Sequence, residues 1–259
     1  MAIGLDGFVS AIVKDVRIGD CRLILGDCLK VMPGLGKFDA VVTDPPYEFQ
    51  TSGAGIFRSK RKNMDEIAAA NLSDGFDYSA FCSTQFGSIV FFCHNDQLDR
   101  LIPYLSAQFS RYALLSWHKT NPMPVANRHY QPDTEFWIHA WNKGFSPIGE
   151  LKDKKRFYFG RGGQDTTIDH PTVKPIALME KVVGNVFGEI LDPFMGSGTT
   201  LIACAKLGRK GTGIELDPDY FEIACRRVEE AYRQADMFTP APENPVTPVQ
   251  IDLLGEDAA

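Results

Sequence analysis

Two periods of apolar and polar residues run through the chain, and the breaks between them mark out most of the elements. Asp15-Val16-Arg17-Ile18 and Arg22-Leu23-Ile24-Leu25, joined by Gly19-Asp20, predict a hairpin over 15–26. A short helix from Cys28 to Met32 leads through Pro33-Gly34 into an apolar strand, Phe38 to Val42. Ser88 to Cys93 is uniformly apolar enough for a buried strand. Asn95 or Asp96 then caps a helix carrying Leu98, Leu101, Ile102 and Leu105, with Pro103 a point of kinking. Strands follow at Tyr112 to Trp117 and Glu135 to Trp141. Pro175 opens a helix whose Leu178, Val182, Val183 and Val186 share one face. The last third reads strand (Gly188 to Asp192), glycine turn (Pro193 to Thr200), helix through Leu207, strand (Gly211 to Glu215) and long helix (Pro218 to Ala235). Strands alternating with helices predict an α/β fold whose parallel sheet is covered on both faces. Residues 48–64 and 143–169 lack periodicity. The first stretch is expected to be a mobile loop, the second an irregular charged segment. A tail over 237–259, with Pro240, Pro242, Pro245 and Pro248, is expected to be extended or disordered. The chain has no internal repeat.

Composition narrows the class. A length of 259 residues suits one large α/β domain or two small ones, and 44% apolar with 23% charged residues is ordinary for a soluble globular protein. No apolar run reaches membrane-spanning length, so no membrane partner is expected and a cytoplasmic, nucleoid-associated location is. The six cysteines form no CxxC pair or His-rich cluster, which argues against zinc or a disulfide framework; no metal is expected. A net charge of −6 argues against wholesale coating of nucleic acid but leaves room for a local basic groove. Arg58, Lys60 and Arg61 form one candidate for phosphate contact, and Lys154, Lys155 and Arg156 another. Solvated charged faces are the plainer explanation of both.

The chemistry gathers at two turns. Asp44-Pro45-Pro46-Tyr47 follows the apolar strand at 38–42. A carboxylate and a fixed carbonyl there could grip an exocyclic amine while Tyr47 stacks on its ring; a rigid turn with a solvated Asp is the alternative. The second turn, around Gly196, Ser197, Gly198 and Thr199, lies between Asp192 and Glu215. Gly196 and Gly198 allow close approach to the backbone, and Glu215 sits near the spacing at which an acidic residue accepts ribose hydroxyls. The turn has no lysine, so it is not a P-loop. Leu201 replaces the third glycine of the dinucleotide pattern, and Asp192 would repel phosphate while welcoming a cationic amine. This favours S-adenosylmethionine over a nicotinamide dinucleotide.

Together these stretches resemble the permuted "beta" group of amino-methylating DNA methyltransferases, which make N6-methyladenine or N4-methylcytosine. The similarity is carried by Leu25-Gly26-Asp27, Thr43 to Tyr47, Trp117 to Pro124, His170 to Pro175, Asp192 to Thr200, and Gly213-Ile214-Glu215 with Tyr220. It implies a Rossmann-like S-adenosylmethionine-dependent methyltransferase fold: a mostly parallel seven-stranded sheet flanked by helices in permuted order, one domain over 1–236. It further implies that Asp27 meets the cofactor adenine, Glu215 the ribose, Asp192 the methionine amine, and Thr172 and Lys174 its carboxylate, with Phe194 packing nearby. Helix capping is the competing role for Asp27, a core position for Phe194. Lys119 and Asn121 would line the base pocket or approach DNA. The short segment 143–169 would read the target sequence in double-stranded DNA. Dimers are common in such proteins, although nothing in the sequence marks an interface. Asp at position 44 favours adenine, since cytosine enzymes more commonly carry Ser there. No Pro-Cys pair occurs in the chain, so the cysteine nucleophile of C5-cytosine methylation is not in evidence. RNA or protein-amide methylation and a catalytically silent DNA-binding module are the competing functions.

Overall fold

The computed structural model describes residues 11–45, 81–122, 130–162 and 173–238. Its strands are β1 Ile12–Ile18, β2 Cys21–Gly26, β3 Phe38–Thr43, β4 Phe86–Cys93, β5 Arg111–Lys119, β6 Thr134–Trp141, β7 Phe157–Gly160, β8 Ile190–Asp192 and β9 Gly211–Glu215. The helices are α1 Cys28–Val31, α2 Leu98–Gln108, α3 Ile176–Asn185, α4 Thr199–Lys206 and α5 Pro218–Phe238. All nine strands join one sheet in the order β1-β2-β9-β8-β3-β4-β6-β5-β7, two more than the seven expected. Most neighbours are parallel; β1–β2, β4–β6 and β6–β5 are antiparallel.

Alternation along the central strands sorts their side chains onto two faces, as the two-residue period of a strand requires. Leu23, Leu25, Ala40, Val42, Val90 and Phe92 point toward α3, α4 and α5, where they meet Leu178, Val183, Leu201 and Phe221. Ile24, Val41, Ile89 and Phe91 face the other way, onto Met32 of the turn after α1 and onto Leu101 and Leu105 of α2. Both faces are therefore apolar and covered, which explains why these strands read as continuous apolar runs.

Three local expectations change. The helix at Leu98 is preceded by a 3-10 turn, Asn95–Gln97, and the cap is neither Asn95 nor Asp96. His94 accepts from the Asp96 amide at 3.4 Å, while the Gln97 side chain accepts from the His94 amide at 2.9 Å. Pro103 lies inside α2 without ending it, because it sits on the exposed side where the carbonyl left unpaired can meet water. The segment 143–169 is not wholly irregular. Phe157–Gly160 adds β7 in parallel to the outer edge of β5. The expected loop at 48–64 and the tail from residue 239 onward lie outside the described residues.

Strand direction decides where the chemistry collects. The parallel strands β2, β9, β8, β3 and β4 bring their carboxyl ends to one edge. Because β6 runs the other way, its first residues, Thr134 and Glu135, arrive at that same edge beside the end of β4. Residues 27, 44, 119, 135, 192 and 215 thus share one rim of the sheet.

Candidate active site

Asp44 immediately follows β3, and β3 pairs with β8 through Val41 and Leu191. The amine-grip turn and the glycine turn therefore leave adjacent strands, whose backbones lie about 4.8 Å apart in a sheet. Pro45 is buried, which anchors the turn against the core. Pro46, Tyr47, Thr172, Arg58, Lys60 and Arg61 lie outside the described residues.

Asp44 has a cationic partner. Lys174 Nζ donates to Asp44 Oδ2 at 2.5 Å and lies 3.4 Å from Glu135 Oε2, the latter an ion pair rather than a tight hydrogen bond. Glu135 Oε1 in turn is 2.6 Å from Lys119 Nζ. Lys174 is 8% exposed and its ammonium lies 5.1 Å from the centre of the Phe92 ring. Burial disfavours the Lys174 charge, but Asp44 and Glu135 outweigh it and hold the ammonium above the ordinary lysine value. Burial likewise works against the Glu135 charge, and Lys174 and Lys119 overcome it, holding this carboxyl below its usual range. Lys119 also sits 5.3 Å from the Trp117 ring, at an outer corner of the site. Cys93, at the end of β4, is no nucleophile: burial first, then the charge of Asp44, pushes its thiol up to about 12.

The glycine turn is differently built. Gly198 caps α4 with φ of +81°, and an added Cβ would stand 2.9 Å from Ala224 Cβ; Gly196 has φ of +52° and open space where a side chain would point. The turn leaves room for a ligand beside Gly196 and for helix packing behind Gly198. Asp192 accepts from the Phe194 amide at 3.1 Å and from the Thr200 hydroxyl at 2.5 Å. Burial raises Asp192 to about 7, with the charges of Asp44 and Glu215 adding to it and these two hydrogen bonds opposing it. Glu215 accepts from the amides of Gly196, Leu216 and Asp217 at 2.8–2.9 Å, tying the turn to the end of β9, and burial raises its pKa too. No lysine or arginine forms a salt bridge with either carboxylate among the described residues.

Other predicted site residues also make contacts within the protein. Ser197 and Thr199 are buried, and Arg227 from α5 donates to the Ser197 carbonyl at 2.7 Å and hydroxyl at 2.9 Å. Phe194 packs at the margin of the core on the α2 face. Asp27 caps α1 by accepting from Leu29 at 3.0 Å and pairs with Lys30. Asn121 accepts from the Gly162 amide at 2.6 Å and so fixes the chain leaving β7. Lys154 and Arg156 line a cavity with Trp137, His139 and Trp141 beside β4–β6, and Lys155 is exposed. Glu135 and Arg227 were not singled out from sequence, because their partners lie 16 to 39 residues away for the first and about 30 for the second. No metal-binding cluster and no helix able to cross a membrane occurs among the described residues.

The donor set fits S-adenosylmethionine. The ligand carries its positive charge on a sulfonium and an amino group, and the turn offers buried, uncompensated carboxylates instead of phosphate-binding cations. Known proteins agree. The family model for DNA methylases matches residues 38–226. The Type II methyltransferase M.HinfI of Haemophilus influenzae is 28% identical over 253 residues, covering 80% of this chain and 68% of that protein. M2.DpnII of Streptococcus pneumoniae is 33% identical over 44% of the chain, which spans half of that protein. Among solved structures, the M1.HpyAVI complex with S-adenosylmethionine is 28% identical with a TM-score of 0.58, over 80% of this chain and 99% of that one. The cytosine-N4-specific PvuII DNA methyltransferase shares the fold at 14% identity, with a TM-score of 0.59 over 86% of this chain and 96% of that one.

Proposed function

The chain belongs to the amino-methylating DNA methylase family, whose cofactor is S-adenosylmethionine, and on that footing we propose that it methylates the N6 amine of adenine at a specific sequence in duplex DNA. One observation carries the reading: Asp44 and the Asp192 turn leave neighbouring strands, so an amine held by the first faces a donor held by the second.

When bound, the cofactor supplies an electrophilic methyl group on sulfur. Glu215, Asp192 and the open backbone at Gly196 are the residues that would hold it. Asp44, with Lys174 donating to its Oδ2, would accept from the target amine beside the Pro45 carbonyl. Those two acceptors localise the nitrogen lone pair, which is otherwise delocalised into the ring. With the cofactor in place, the nitrogen would take the methyl carbon as the carbon–sulfur bond breaks and its electron pair stays on sulfur. Asp44 is the nearest acceptor for the proton the methylated nitrogen must shed. Alignment and a prearranged carboxylate supply the rate, with no strong base required. Tyr47 would stack on the base, which must leave the duplex to be reached. Asp at position 44 is what favours adenine over cytosine.

The test is transfer of labelled methyl from S-adenosylmethionine to unmethylated duplex DNA, followed by nucleoside analysis. N6-methyladenine is expected; N4-methylcytosine would overturn the choice of base. DNA binding without transfer would leave a silent binding module. Tyr47→Ala should weaken productive base capture, and Tyr47→Phe should be milder because stacking needs only the ring.

A further inference from the structure

We infer that Glu135 is a positioning residue for methyl transfer: through Lys174, and balanced by Lys119, it sets how firmly the Asp44 carboxylate is occupied. The inference rests on the amine-grip role of Asp44 given above.

Four side chains of alternating sign, Asp44, Lys174, Glu135 and Lys119, run from the turn after β3 to the end of β5. Lys174 is the buried member and stands between two carboxylates, 2.5 Å from one and 3.4 Å from the other. A buried ammonium cannot do without an anion, so Lys174 divides itself between them. The division matters because the amine of the target base must also hydrogen-bond to Asp44. Any weakening of Glu135 turns Lys174 more fully onto Asp44 and makes it compete with the amine. Any strengthening of Glu135 draws Lys174 back.

Lys119 tunes this from the outside. It holds Glu135 Oε1 at 2.6 Å and so limits the pull of Glu135 on Lys174. Direct electrostatics has the same sign: Glu135 adds negative potential at Asp44, whereas Lys119 adds positive potential. Among the described residues, Cys93 on β4, its thiol pushed up by burial, and Asp192 on β8 also couple to Asp44. Neither is in contact with Glu135 in the described structure.

The two ends of the chain therefore give opposite signs. Glu135→Gln should lower the single-turnover transfer rate by about 10-fold and move the acidic limb of the pH–rate profile down by at least about half a pH unit. Lys119→Met should move that limb up. Single turnover, with full-length enzyme in excess over duplex DNA and saturating S-adenosylmethionine, keeps product release out of the profile. Unfolding cannot mimic shifts of opposite sign.

Cofactor affinity, measured by calorimetry, should change less than about threefold in each variant, on the order of half a kcal/mol by the usual affinity conversion. Profiles that overlay across the wild type and all variants would overturn the inference. So would an unchanged transfer rate with a large loss of cofactor affinity, which would assign the network to cofactor binding. A wild-type enzyme that fails to methylate DNA would instead overturn the proposed function on which the inference rests.

Discussion

Two acidic turns stand on neighbouring strands of this protein and are neutralised in different ways. At Asp44 the chain supplies its own cation: Lys174 is buried against the carboxylate, and Glu135 and Lys119 extend the alternation. At Asp192 and Glu215 the charges are met, among the described residues, by amides and a hydroxyl, and burial raises both carboxyls. On the proposed function, the difference follows from what each turn would meet. A neutral amine needs a carboxylate that is already ionised, so the cation is built in. A cationic cofactor brings its own compensating charge, so a built-in lysine there would compete with it.

The most severe way to break the comparison is at Asp44. Asp44→Ala should cut methyl transfer by about a thousandfold or more, as expected when the main polarising group of a transition state is lost. Cofactor affinity should stay within about twofold, because the cofactor turn lies on the next strand. Filter-binding transfer assays with calorimetry check both, and retained turnover would remove Asp44 from the mechanism.

Asp192→Asn should act on the other turn and in the opposite sense on stability. Cofactor affinity should weaken by roughly 10- to 100-fold, the range for losing one charged hydrogen bond. The cofactor-free protein should become more stable at pH 8. Asp192 binds its proton more tightly when folded, at about 7 against an ordinary carboxyl near 4. Its stabilising contribution is therefore complete below about pH 4 and is lost as pH rises through about 7. Thermal melts from pH 5 to 8 should fall less steeply for the variant than for the wild type. Identical slopes would mean that Asp192 is not buried and uncompensated.

A smaller effect is expected behind the cofactor turn. Gly198→Ala forces a side chain into a left-handed conformation and toward Ala224 Cβ at 2.9 Å, so it should destabilise by about 1–3 kcal/mol. Arg227→Met should cost least, about 1 kcal/mol, by freeing the Ser197 carbonyl and hydroxyl. Its cofactor affinity should drop only a few-fold. An equal drop for Arg227→Met and Asp192→Asn would show that holding the turn, and not its charge, governs binding.

Much of this was legible in the chain. The central strands were, because burial on both faces leaves them as apolar runs between turns, and β3 ends one residue before Asp44, where the turn residues begin. The strand at 157–160 was hidden. It is four residues long, alternates exposed with half-buried positions at the sheet edge, and lies in a charged stretch. Lys154 and Arg156 line a cavity with His139 and Trp141, a placement that a charge run alone does not reveal. The motif around Lys174 is local, but its contact with Asp44, 130 residues earlier, is not. Glu135 was read only as the opening residue of a strand.

The sequence by itself determined the alternation of elements, the two turns and the residue types within them, because period, proline and glycine act through local sterics. Only the tertiary structure decided that β6 runs antiparallel and so delivers Glu135 to the rim, and that Lys174 lies between Glu135 and Asp44. It likewise left Asp192 buried, with no cation beside it among the described residues. Those outcomes depend on strand direction and on charges brought together from distant parts of the chain. A local pattern carries no record of either.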